Sequence, residues 1–155
     1  MKGCKAIILA LAAIVCCSCG GKFKDISVTS CELKSLSPTG FSGMEAVLEL
    51  GIDNPAPEIH LSDIVGEAKF EGEKCLTLTT PDIVIEGKTE KKYTVAVTGR
   101  IERSFDLLKV VASLRNPDAL ESLTLDVDCH AALSNGLGKK IAKKDIPVKD
   151  LIDKL

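Results

Sequence analysis

The sequence predicts a mostly β protein, an antiparallel β-sandwich of seven or eight strands with one α-helix at residues 104–115, before the last two strands. Three observations carry this. Short segments alternate apolar and polar residues, Gly, Pro, Asn and Asp punctuate them, and a single stretch changes to helical spacing. A length of 155 residues suits one domain, and 45% hydrophobic with 27% charged residues is ordinary globular usage.

Residues 25–36 form the first predicted strand. Its apolar phase slips from Ile26 and Val28 to Cys31 and Leu33, as one extra residue in a β-bulge would cause. Pro38-Thr39-Gly40 then turns the chain. Residues 45–53 place Ala46, Leu48, Leu50 and Ile52 on one face, and Asn54-Pro55 ends the strand, because the residue before proline is pushed out of regular pairing. A third strand at 64–70 groups Ile64, Ala68 and Phe70. Shorter strands follow at 76–80 and 82–86, and residues 92–101 put Tyr93, Val95, Val97 and Ile101 together. The clearest strand is 122–133, where Leu123, Leu125, Val127, Cys129, Ala131 and Leu133 share one face. Asn135-Gly136-Leu137-Gly138 reads as a tight hairpin into a last strand at 139–148.

The helix is predicted from its ends and its stripe. Ser104 is a natural N-cap, Asp106 and Arg115 suit the helix dipole, and Asn116-Pro117 terminates it. Phe105, Leu108, Val111 and Ala112 recur at helical spacing, the pattern of a face packed on a sheet.

The N-terminus carries a different signal. Lys2 and Lys5 precede ten apolar residues, 6–15, and Cys16-Cys17-Ser18-Cys19 follows. This is the positive region, apolar run and small-residue site of a secretory signal, and a membrane-spanning helix would need about 20 apolar residues. Cleavage before a cysteine resembles the lipoprotein class. Ser18 fits the position before the acylated residue, and Cys16 stands where Leu is typical. The expected organisation is a lipoprotein signal peptide at 1–18, a lipidated tether at 19–24 with the acyl chain on Cys19, and a β-sandwich domain at 25–155. Gly20, in place of the Asp that resembles an inner-membrane retention signal, makes the outer membrane, facing the periplasm, the expected destination.

Composition narrows the partners. The 20 Lys and Arg include Lys2 and Lys5, so 18 remain after the signal against 22 Asp and Glu, a net charge of −4. That balance and the scarcity of aromatics (four Phe, one Tyr, no Trp) argue against nucleic acid, which needs cationic grooves and stacking platforms. The expected membrane contact is the N-terminal lipid, and an envelope protein or an apolar ligand remains open as a partner. Of the cysteines beyond Cys19, Cys31, Cys75 and Cys129 leave room for one disulfide and a spare thiol, with no pairing implied by spacing. Cys129, in phase with Val127 and Ala131, is expected to be buried.

No catalytic motif completes itself. Gly87-Lys88-Thr89 ends like a phosphate-binding loop, but the first glycine of that motif would have to stand at Asp82. Gly40-Phe41-Ser42-Gly43-Met44 would need glycine at Met44 to be a nucleophile elbow. Asp126, Asp128 and His130 alternate along one strand, and steps of about 6.6 Å between i and i+2 are too wide for the three to close on one ion. They read as a solvated outer face, and His60, beside Pro57 and Glu58, reads as a surface loop residue. No catalytic residue, metal or cofactor is expected.

Several of these features together resemble the late-embryogenesis-abundant type 2 family, also called the water-stress and hypersensitive-response domain, in a bacterial lipoprotein version. They are the opening Cys31-Glu32-Leu33-Lys34-Ser35-Leu36, the strand ending Ile52-Asp53-Asn54-Pro55-Ala56-Pro57, the polar stretch at 61–72, the strand at 93–97, the helix and the final hairpin. Asn54 and Pro55 hold the place of the family's signature turn, although members often read Asn-Pro-Asn where this chain has Ala56. The resemblance covers nearly the whole chain after the signal. It implies a β-sandwich with one helix and a non-enzymatic role linked to stress tolerance.

Overall fold

A computed structural model describes residues 26–102 and 117–149. Cys19, the signal, the tether and the predicted helix at 104–115 lie outside the described residues. Those described form eight strands: β1 (Ser27–Thr39), β2 (Gly43–Asn54), β3 (Ile59–Phe70), β4 (Glu73–Thr80), β5 (Ile83–Ile85), β6 (Thr89–Ile101), β7 (Leu123–Leu133) and β8 (Gly138–Pro147). A short 3-10 turn, Pro117–Ser122, leads into β7.

All pairings are antiparallel, in the order β1-β2-β6-β4-β3-β7-β8, and β5 pairs with the start of β3. The fold is an antiparallel β-sandwich made from one continuous sheet. β1, β2 and β6 build one half, β3, β7 and β8 the other, and β4 bonds to both β6 and β3. Alternation dictates the inside. β2 contributes Leu48, Leu50 and Ile52, β6 adds Val95 and Val97, and across from them stand Ile59, Leu61 and Ile64 of β3 with Leu125, Val127, Cys129 and Ala131 of β7. Within a half, opposite residues interlock, as in Leu48↔Val95 and Leu50↔Tyr93. Each fully buried Leu or Ile contributes about 1.5–3 kcal/mol of transfer free energy, so this double row is the main stabilising element.

Register shifts explain where strand boundaries depart from expectation. β1 slips between Val28 and Ser30, the bulge that its apolar phase predicted, and again between Leu33 and Ser35. It runs on to Thr39, through the Pro38-Thr39 pair expected to turn, and the turn itself occupies 40–42. Proline is tolerated there because β1 is an edge strand. In β3 a shift between Ser62 and Val65, with Asp63 at a φ of 50°, divides the strand. Residues 59–61 pair with β5, and 64–70 pair with β4. Single-phase alternation finds only the second part. His60 therefore belongs to a strand, opposite Val84 and Ala132, and not to a loop as its neighbours Pro57 and Glu58 suggested.

The two ends of the sandwich differ. One end carries Ile26, the segment after Asn54, the turn after β5 and the β7–β8 hairpin. The other carries the β1–β2 and β3–β4 hairpins, the end of β6 and the 3-10 turn.

Candidate functional site

Asn54 ends β2 with its side chain fully buried. Its carboxamide bonds three main-chain groups: Nδ2 donates to the carbonyls of Pro57 and Glu86, each at 3.1 Å, and Oδ1 accepts from the Ala56 amide at 3.0 Å. No other side chain of that size offers two donors and an acceptor without charge, which is why asparagine stands here. Pro55 has no N–H to satisfy, so it costs nothing where the chain leaves the ladder.

The partner segment comes from the turn after β5. The Lys88 amide donates to the Ala56 carbonyl at 3.0 Å, and the Glu86 amide donates to Tyr93 Oη at 2.9 Å. Gly87 lies so close to residues 56–58 that a Cβ would stand 2.5 Å from the Glu58 amide nitrogen and 2.7 Å from the Pro57 carbonyl carbon. Asn54, Gly87 and Tyr93 thus lock two turns 32 residues apart in sequence into one unit. Asn54-Pro55 reads in the sequence as a turn and Gly87-Lys88-Thr89 as an incomplete motif; their contact is non-local and has no signature in either segment.

The outer face of β7 holds the cluster Asp126, Asp128 and His130. Asp128 is half-buried and His130 exposed, in keeping with a solvated face. Asp126 departs from that expectation, for it is 8% exposed. The cause is a bulge in β8. Leu125 pairs with Ile146 and Val127 with Lys143, which sets both Lys144 and Asp145 opposite Asp126, one residue in excess, with Asp145 at a φ of 52°. The Asp145 amide, freed from the ladder, donates to Asp126 Oδ1 at 2.8 Å, and Lys69 Nζ meets Asp126 Oδ2 at 2.6 Å. Desolvation pushes the Asp126 carboxyl up, but the amide and the ammonium outweigh it and hold the carboxyl below its ordinary range. Asp126 and Asn54 are the buried polar side chains of the described residues, and each is occupied by main-chain partners.

His60 Nε2 lies 2.9 Å from Glu58 Oε1, on the surface. The three described cysteines are free thiols. Cys129 is 2% exposed, as its phase predicted, and Cys75 is buried with Sγ donating to the Ala68 carbonyl at 3.3 Å. Burial raises all three thiol pKa values, that of half-buried Cys31 to about 11. Among the described residues no three His, Cys, Asp or Glu side chains gather to hold a metal ion. The glycines of 40–43 belong to the β1–β2 hairpin, where Thr39 pairs with Gly43 and Phe41 stands fully exposed at the tip.

No family model and no curated protein matches the chain. Among solved structures, a protein from Archaeoglobus fulgidus superposes with a TM-score of 0.48 at 11% identity, over 76% of this chain and 94% of its own. The periplasmic chaperone SfaE superposes with a TM-score of 0.29 at 18% identity, over 76% of this chain and 57% of its own. At these scores neither likeness assigns a fold family or a function.

Proposed function

We propose that the protein is a membrane-anchored extracytoplasmic lipoprotein whose β-sandwich is a non-enzymatic module. The single observation that carries this is the N-terminal order of two lysines, ten apolar residues and Ser18-Cys19. The lipid, a palmitate-type acyl chain, sits on Cys19, and Gly20 directs the protein to the outer membrane, facing the periplasm. The role is protective or structural in envelope stress, as the resemblance to the late-embryogenesis-abundant type 2 family implies. Supporting the non-enzymatic part, the buried polar side chains Asn54 and Asp126 hold turns and a bulge through main-chain hydrogen bonds.

Cys19→Ala tests the anchor. The variant is expected to release soluble protein or to accumulate precursor, and to lose incorporation of a radiolabelled acyl chain. Continued incorporation would overturn the assignment.

One observation favours a second reading, a binding module for an envelope protein: Phe41, fully exposed at the tip of the β1–β2 hairpin. A photo-crosslinking residue at position 41 would then capture a protein of the envelope in intact cells, and a free, uncrosslinked chain would remove this reading.

A further inference from the structure

We infer that the end of the sandwich carrying Ile26 rests on the membrane, with the β7–β8 hairpin as a second contact in which Leu137 enters the lipid headgroup layer and Lys139 and Lys140 meet anionic lipid. The inference rests on the reading of Cys19 as the lipid attachment. From there it follows from lengths. Seven Cα steps lead from Cys19 to Ile26, and an extended chain gains at most about 3.6 Å per step, so the near end stays within about 25 Å of the bilayer. β2, with 12 residues, is about 40 Å long, so the far end with Phe41 lies about 40 Å from the near end.

Register fixes what lies at the near end. Ser27 pairs with Asp53, and the β3–β7 ladder closes at Ile59↔Leu133, so residues 134–137 stand past its last pair. The hairpin is built to project. The Leu133 amide donates to the Leu137 carbonyl at 2.8 Å, the Gly136 amide to the Leu133 carbonyl at 2.9 Å, and Asn135 Oδ1 accepts from the Leu137 amide at 3.0 Å. Gly136 supplies the positive φ, 85°, that this tight return requires. The construction holds Leu137 outward, 66% exposed, with the exposed Lys139 and Lys140 directly behind it. An apolar tip backed by two cations matches a headgroup layer, where the side chain leaves water and the ammonium groups stay at phosphate depth. Of the carboxylates at this end, Glu58 is paired with His60 and Glu86 with Lys91, Asp53 and Glu90 face each other across β2 and β6, and Asp128 stands 3.8 Å from Lys140 Nζ.

The chain contains no tryptophan, so a single one reports depth. Mature lipidated full-length protein carrying Leu137→Trp, or Phe41→Trp as the far-end control, is reconstituted on phosphatidylethanolamine vesicles with and without phosphatidylglycerol. Both positions are exposed hairpin tips, and the shared affinity of tryptophan for interfaces cancels in the comparison. The tryptophan at 137 is expected to shift its emission to shorter wavelength and to be quenched by brominated lipid, more strongly with phosphatidylglycerol, while the one at 41 stays water-like. Lys139→Gln with Lys140→Gln should abolish the phosphatidylglycerol dependence. Equal, water-like emission at both positions in protein that floats with the vesicles would overturn the hairpin contact alone. Protein that carries no acyl chain by mass and does not float would overturn the lipoprotein reading, and this inference with it.

Discussion

Replacing Asn54 with Ala removes three hydrogen bonds at once and leaves the carbonyls of Pro57 and Glu86 and the amide of Ala56 without their partner. Each such bond contributes about 0.5–1.5 kcal/mol net, so Asn54→Ala should cost about 3 kcal/mol. A single domain has only about 5–15 kcal/mol in total, and the loss would be plain in urea unfolding followed by far-UV circular dichroism. Tyr93, the single tyrosine, accepts from the Glu86 amide and so serves as a local fluorescence reporter. Asn54→Asp separates hydrogen bonding from packing, because it keeps size and acceptor but turns an oxygen toward both carbonyls. Burial favours its neutral form, so its folded-state pKa would lie above the unfolded value. The destabilisation should then be greatest above that raised pKa and shrink as pH falls through it. A loss below about 1 kcal/mol for Asn54→Ala, or a pH-independent loss for Asn54→Asp, would refute the account of Asn54 as the fastener of the two turns.

Gly87→Ala should cost about 1–3 kcal/mol, since the new methyl meets backbone atoms, and the double variant with Asn54→Ala should lose less than the sum in a double-mutant cycle. Asp126 has a lowered pKa, so its contribution is complete above the ordinary value of 3.8 and is lost as pH falls below it. Acid titration of stability should show that slope in the native chain and a reduced one in Asp126→Asn. Cys129, buried and with a raised pKa, should react with a polar thiol reagent only after unfolding, and labelling of the folded protein followed by peptide mass analysis should find half-buried Cys31 modified first.

What could be read in advance divides along local and non-local lines. β7 was legible because six apolar residues keep one phase, and the β1 bulge was legible because two phases adjoin within one strand. The first half of β3 was not, since Asp63 breaks its phase and Pro57-Glu58 precedes it as a loop would. Asp126 followed the alternation rule onto the outer face, but its burial depends on one excess residue in β8, which only pairing reveals. The same holds at Asn54. The sequence marks a turn there, whereas the bond to Glu86, far along the chain, is what requires asparagine.

The position of β4 has a consequence for how the molecule comes apart. Because it bonds β6 on one side and β3 on the other, neither half can open without breaking a ladder held by the other. Opening is then a single event, and main-chain amides at the centre of β4, such as those of Leu78 and Thr79, should exchange their hydrogens at the rate set by unfolding of the whole, while those in the outer edge strands, β1 and β8, exchange through smaller local excursions.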